Sequence, residues 1–401
     1  MSRPRSFTCA ALLLCCTALM LASCAGSGNT TQTRNNPIST DASGNLDSPP
    51  RPLEDYDRAL VLTTLRESAL DLLETAAFDR SPMLRANALE ALQAVPHRAE
   101  PIARAGLTDE NAGVRFTALM TVGRLKLESS RPFVRPLLRD TDPRVQMAAI
   151  YALHRLDEPV DQTPLARHLL NGQPQVRAQA AYIIGEIGNP SAIPLLRDTA
   201  APVQPANPSG GNPAHQNTER RRPDQVLLHL QIAEALIKLG DQRVGHVLHS
   251  ALYPAVRDDL EAAVLAAQIL GELRDETAIR QLVELIEQVT PDSPETDDPR
   301  RRIFLQPIEL RLAAATAVAK MGDTGGVYVA DLAIRSPDPA VRSQACFLYA
   351  AAARIRDYSP SSRTSRRLDL AKLERLMDDP NALVQVSAAA GILSAIENPR
   401  R

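Results

Sequence analysis

Apolar residues recur at helical spacing from about residue 55 onward, in short runs punctuated by Pro, Gly and Asp. The cleanest run is GQPQVRAQAAYIIGEIGN, Gly172 to Asn189. Val176, Ala180, Ile183, Ile184 and Ile187 fall on one stripe, which predicts a helix with a single buried face. Ala178, Ala180 and Ala181 keep that helix slim, and Gly188 suits the left-handed residue that ends it. The same pattern predicts a first helix from about Asp55 to Phe78, with Leu60, Leu65, Ala69, Leu72, Leu73 and Ala76 buried against a helix after Pro82. Regular pairs follow to Ala200. Later helices are expected near 224–239, 258–273 and 307–321, ended by Gly240, Gly271 and Gly322. A further pair covers 323–355, and a last one about 366–396.

The runs form a repeat. Taking the apolar residue before each Arg as a mark gives Leu84, Val114, Val145 and Val176, spaced 30, 31 and 31 residues apart. Leu310, Val341 and Val384 continue it. Pro82, Pro143, Pro174 and Pro339 stand three residues before a mark, where proline suits a first helical turn. After the marks come Arg85, Arg115, Gln146, Arg177, Arg311, Arg342 and Gln385. Asp79, Asp109, Asp140, Asn171, Ser336 and Asp379 stand six residues before an Arg or Gln of this set, as turn or cap residues. We read Asp79, Arg85, Asp109, Arg115, Asp140, Asn171, Arg177, Arg342 and Asp379 as a structural ladder pairing adjacent turns, because an Arg fork satisfies carboxylate and carbonyl groups together.

These marks, above all Asp109 to Arg115, Pro143-Arg144-Val145 and Pro174 to Arg177, resemble HEAT repeats of the short kind also found in phycobilisome lyase-type proteins. The resemblance covers roughly residues 79–396 and implies an all-α fold, an α-solenoid of about nine two-helix repeats. Units near 228 and 262 lack the Val-Arg pair, so their register is the least defined.

Residues 1–23 stand apart from the fold. Arg3 and Arg5 precede the apolar stretch Ala10 to Ala22, which ends in Leu21-Ala22-Ser23-Cys24. This resembles a bacterial lipoprotein signal, which implies cleavage before Cys24 and its lipidation, hence a membrane anchor at the cell envelope. Ala25 in place of Asp points by the same resemblance to the outer membrane, facing the periplasm, in a Gram-negative cell. Residues 24–52, rich in Ser, Thr, Asn, Gly and Pro, read as a lipidated Cys and a disordered tether, with the solenoid at 53–401.

Charge and chemistry narrow the function. The formal charge of −2 gives no basic field of the kind that drives nucleic-acid binding. Cys346 is the only cysteine left beyond Cys24, so the fold is expected to hold a buried core thiol and no internal disulfide. His246 and His249 share a helical face, but no Cys or Glu set completes a metal site. No nucleophile elbow, phosphate loop or His-Glu-x-x-His motif is present. No catalysis, cofactor, metal or small-molecule substrate is expected.

Three insertions break the period: 200–223, 290–306 and 357–367. The first two fall between the first and second helix of a unit, on one edge of the stack. There Arg220, Arg221 and Arg222 are expected to approach Arg300, Arg301 and Arg302, beside the apolar Ile303-Phe304-Leu305. The expectation is a protein-binding scaffold, partner unknown. A concave face of second helices supplies contact area, and the edge loops with Phe304 supply specificity. The alternative is an accessory or chaperone-like lyase subunit holding a small ligand in the concave groove, which converging polar side chains there favour.

Overall fold

The structure, a computed structural model, describes residues 55–200, 223–253, 260–355 and 369–397. Cys24, the 24–52 tether, Arg220 to Arg222 and the 357–367 insertion lie outside the described residues.

The chain is an all-α solenoid, with 18 helices among the described residues. They form nine pairs: α1 (Asp55–Ala76) with α2 (Pro82–Leu92), α3 (Pro96–Gly106) with α4 (Ala112–Leu125), α5 (Arg131–Val134) with α6 (Pro143–Arg155), α7 (Thr163–Asn171) with α8 (Pro174–Ile187), α9 (Ile193–Ala200) with α10 (Pro223–Lys238), α11 (Gly245–Ala251) with α12 (Leu260–Leu273), α13 (Ile279–Glu287) with α14 (Ile308–Met321), α15 (Tyr328–Ala333) with α16 (Pro339–Ala353), and α17 (369–376) with α18 (Ala382–Glu397). Odd numbers are first helices and even numbers second helices. α5 is a single turn between two short 3₁₀ segments, because Pro132 and Pro136 each remove a backbone donor.

Local chemistry sets the second helices. Pro82, Pro143, Pro174 and Pro339 are each the first residue of one. The capping side chain stands immediately before the helix: Asn111, Asp142 and Asp338 each accept a backbone N–H from two residues ahead. Asp79, Asp109, Asp140 and Asp379 sit two residues earlier still and accept the N–H of Ser81, Asn111, Asp142 and Asn381. Gly188, Gly240 and Gly322 have φ of 77°, 99° and 111° and end their helices left-handed. Gly271 does not end α12, which continues to Leu273 and stops at Arg274 with φ 51°. Gly271 serves packing instead, since a Cβ there would lie 2.7 Å from the Ala317 Cα of α14.

The second helices pack in sequence, each on the next, from α2 to α18. α18 then packs back on α1 and α2, so the solenoid closes on itself. Arg66 of α1 donates to Glu397 of α18 at this seam. Small residues let the backbones approach: Gly123 lies against Ala152, Gly185 against Ala235, and Gly391 against Ala350. Leu, Ala, Ile and Val from all nine pairs form one continuous core. The expected broad concave groove is therefore not an open face: the second helices turn toward one another around the interior. Among the described residues no helix is long and apolar enough to cross a membrane.

Candidate functional site

Closure creates a polar interior. Arg124, Glu186 and Lys320 each stand ten residues after a mark (Val114, Val176, Leu310), and Lys238 and Glu272 hold the same place in α10 and α12. All face the inside of the ring, where they form a network. Arg124 donates to the Tyr182 hydroxyl at 2.7 Å and approaches Glu90 at 3.8 Å and Glu186 at 4.0 Å. Lys238 pairs with Glu186 and Glu234, each at 2.6 Å, with its ammonium 5.2 Å from the Tyr182 ring centroid. Lys320 pairs with Glu272. Gln93 links Thr121 to Arg124.

Burial and charge set the protonation of this network. Burial favours the neutral form of Glu90 more than Arg124 opposes it, and pushes its carboxyl up to about 7. Burial raises Glu234 as well, despite Lys238. At Glu272 burial acts in the same direction, but Lys320, Lys238 and Arg124 outweigh it and hold the carboxyl below its ordinary value. Burial works against the Lys238 charge, yet Glu234 and Glu186 prevail and its pKa is raised.

A cavity of about 230 Å³ opens into this interior. Glu90, Glu272, Lys320 and Arg354 line it together with Leu312 and Phe347. None of these was singled out from sequence. The available signal was a charged residue recurring ten positions after the mark, inside helices otherwise read as apolar.

The ladder runs along the edge where first helices turn into second ones. Arg85 forks onto Asp109 through Nε and Nη2 at 2.8 and 2.7 Å, while its Nη1 donates to the Asp79 and Arg80 carbonyls. Arg115 treats Asp140 in the same way at 2.8 Å for both bonds, and Arg342 holds Asp379 at 2.8 and 2.9 Å. Gln146 and Gln385 keep only the bond to their own turn, reaching the carbonyls of Asp140 and Asp379. Arg177 departs from the expected pairing: it donates to the Leu169 carbonyl at 2.9 Å. The turn of the next unit, which would supply its carboxylate, is the 200–223 insertion. Asn171 is the last residue of α7 rather than a turn or cap residue ahead of α8.

The 290–306 insertion lies on the same edge, between α13 and α14. Thr290 donates to Ile303 and Leu305 to Gln288, giving a short ribbon with one antiparallel bridge, Val289 to Phe304. Phe304 packs inward, its ring centroid 3.3 Å from the Arg311 guanidinium carbon. Arg311 is 3 % exposed and donates to the Ile286 carbonyl and the Tyr328 hydroxyl. Phe304, half-buried, is thus a cover for a buried arginine. Ile303 and Leu305 on either side of it are 51 % and 43 % exposed. Arg300 and Arg301 are exposed, whereas Arg302 donates to the Thr296 carbonyl at 2.8 Å. Arg220 to Arg222 lie outside the described residues, so their approach to this cluster is not seen.

Among the described residues no group of three His, Cys, Asp or Glu is placed to hold a metal. His249 sits between Gln281 and Asp275 at 2.9 and 3.0 Å, and His246 turns to the Arg243 carbonyl. Cys346 is buried, and burial raises its thiol far above the ordinary range.

Residues 100–175 match the family model for HEAT repeats, and residues 176–200 that for the PBS lyase HEAT-like repeat. No curated protein matches the chain. Among solved structures, an engineered protein is similar at 18% identity over 86% of this chain and 99% of its own, with a TM-score of 0.31. Human deoxyhypusine hydroxylase in complex with glycerol is similar at 16% identity over 72% and 96%, TM-score 0.33. The complex of CpcE and CpcF of phycocyanin lyase from Nostoc sp. is similar at 16% identity over 73% and 93%, TM-score 0.27.

Proposed function

We propose that this chain, whose residues 100–175 and 176–200 match models of HEAT and PBS lyase HEAT-like repeats, is a lipid-anchored envelope protein that binds a protein partner at one edge of its ring. The observation that carries this reading is the ribbon beside Arg311. Ile303 and Leu305 point outward next to exposed Arg300 and Arg301, while Phe304 fixes the ribbon from below. An apolar pair with a basic rim suits a partner that brings an apolar patch bordered by acidic residues. The signal-like stretch ending at Cys24, with Ala25 after it, supports anchoring at the outer membrane of a Gram-negative cell. Binding, rather than catalysis, is the role these features support.

Capture from solubilised envelope membranes tests the reading. The intact chain is compared with an Ile303→Asp/Leu305→Asp variant that retains Phe304, and with one lacking residues 200–223. Loss of the captured protein with the ribbon variant, at unchanged thermal stability, is the expected result. Capture that is indifferent to both changes would overturn the edge assignment. Cys24→Ala should move the protein to the soluble fraction, and persistence in the membrane would remove the lipid anchor.

A further inference from the structure

The cavity in the ring interior has a specific origin. Ten residues after a mark, where the other six second helices carry Arg, Lys or Glu, α2, α16 and α18 carry Ala94, Ala351 and Ser394. These three helices are neighbours only because α18 packs on α2. Three small side chains in a row leave a hollow beneath the seam, and all three line the cavity. Phe347 and Leu312 give it an apolar wall.

One group there is unmatched. Glu90 is 8 % exposed and lines the cavity. Its Oε1 faces Arg124 at 3.8 Å, beyond hydrogen-bond distance. Its Oε2 is buried and has no hydrogen-bond partner among the described residues. A buried carboxylate oxygen without a donor is costly, so such atoms ordinarily find one. The other cavity carboxylate, Glu272, already has Lys320.

We propose that this cavity is a binding site for a small organic amine, whose ammonium donates to Glu90 and whose apolar body lies against Phe347 and Leu312. An ammonium supplies the close donor that Glu90 lacks, and a charge nearer than that of Arg124 at 3.8 Å. Glu272 on the same lining is already neutralised by Lys320, so the ammonium is directed to Glu90. This site is separate from the edge ribbon, and neither depends on the other.

Hexylammonium serves as the probe, with hexanol and hexanoate as isosteric controls, each titrated calorimetrically into the intact chain. The proposal expects saturable one-to-one binding of hexylammonium, weakened at least tenfold in Glu90→Gln, and at least tenfold weaker binding of both controls. A second readout needs no variant. In protein labelled at the glutamate carboxyl carbons, hexylammonium should shift the carboxyl that titrates near pH 7 to a lower pH. Absence of saturable hexylammonium binding overturns the proposal. So does equal binding by hexanol, tighter binding by hexanoate, unchanged affinity in Glu90→Gln, or a carboxyl titration indifferent to the amine.

Discussion

Arg66 in the first helix donates to Glu397 in the last, across 331 residues of sequence. Arg66 also donates to Glu67, which Arg98 reaches in turn at 3.4 Å, so the seam is edged by a chain of charges. Both members of the Arg66–Glu397 pair keep a quarter of their side-chain surface exposed, which places the strength of the seam in the apolar packing behind them. Glu397→Ala should therefore cost at most about 1 kcal/mol. Leu393→Ala, in the same helix and fully buried, should cost about 2–5 kcal/mol. Urea unfolding of the two variants checks the order, and an equal or reversed cost contradicts it.

The ladder arginines are not equivalent. Arg115 makes a two-bond fork to Asp140 and two bonds to carbonyls of its own turn, whereas the bond from Arg177 is to the Leu169 carbonyl. Arg115→Ala leaves the partly buried Asp140 without its countercharge and should lose about 2–4 kcal/mol. Arg177→Ala should lose about 1 kcal/mol. Arg115→Lys should recover little, because a point charge does not reproduce the fork. Denaturant midpoints of the three variants measure this directly.

Two glycines separate helix propensity from packing. Gly271→Ala places a methyl 2.7 Å from the Ala317 Cα, so it should destabilise in spite of the roughly 1 kcal/mol that alanine gains over glycine inside a helix. Gly245→Ala meets nothing within 4 Å and should be neutral or stabilising. Thermal unfolding temperatures that move in the same direction for both would contradict the close approach of α12 and α14.

The interior predicts a pH dependence. Glu90 is raised from 4.5 to about 7 by burial, with Glu272 adding repulsion and Arg124 opposing both. The folded state therefore holds this proton more tightly than the unfolded chain does. Its stabilising contribution is complete below about pH 4.5 and is lost as pH rises through about 7, on the order of 3 kcal/mol in all. Asp369, raised to about 7 by burial, contributes in a similar window. Glu90→Gln should flatten part of the stability decline between pH 5 and 7.5, and a profile identical to wild type would contradict the buried placement of Glu90. Asp140 acts on the acid side: burial opposes its charge, but Arg115 and the Asp142 backbone N–H prevail and lower its pKa. Its contribution is present at neutral pH and is lost only as pH falls through that lowered value.

What the sequence made legible was what neighbouring units decide among themselves. Pro82, Pro143, Pro174 and Pro339 mark helix starts through their own backbone chemistry, and the Asp-to-Arg spacing sets contacts between adjacent turns. Even the breaks follow local logic. Among the described residues Arg177 bonds a carbonyl rather than a carboxylate, the next turn being the 200–223 insertion, and Arg311 gains Phe304 where another insertion folds over it. Closure was not legible, because it is the sum of small rotations between units and no single motif encodes it. The interior site was hidden for the same reason. Glu90, Arg124 and Glu272 look like solvent-facing charges until α18 meets α2. The Gly271 position was misread because its glycine serves a contact with another helix rather than a turn of its own chain.

The central claim is that the solenoid closes, and the distance between its two ends tests that claim most directly. Spin labels at Asp71 in α1 and Ala382 in α18, in a chain whose other accessible thiols have been removed, report this distance by pulsed dipolar spectroscopy. A closed ring predicts one narrow distribution centred below about 35 Å. An open stack of nine units, with helices spaced roughly 8–10 Å apart, would place the labels about 60 Å or more from each other and contradict closure.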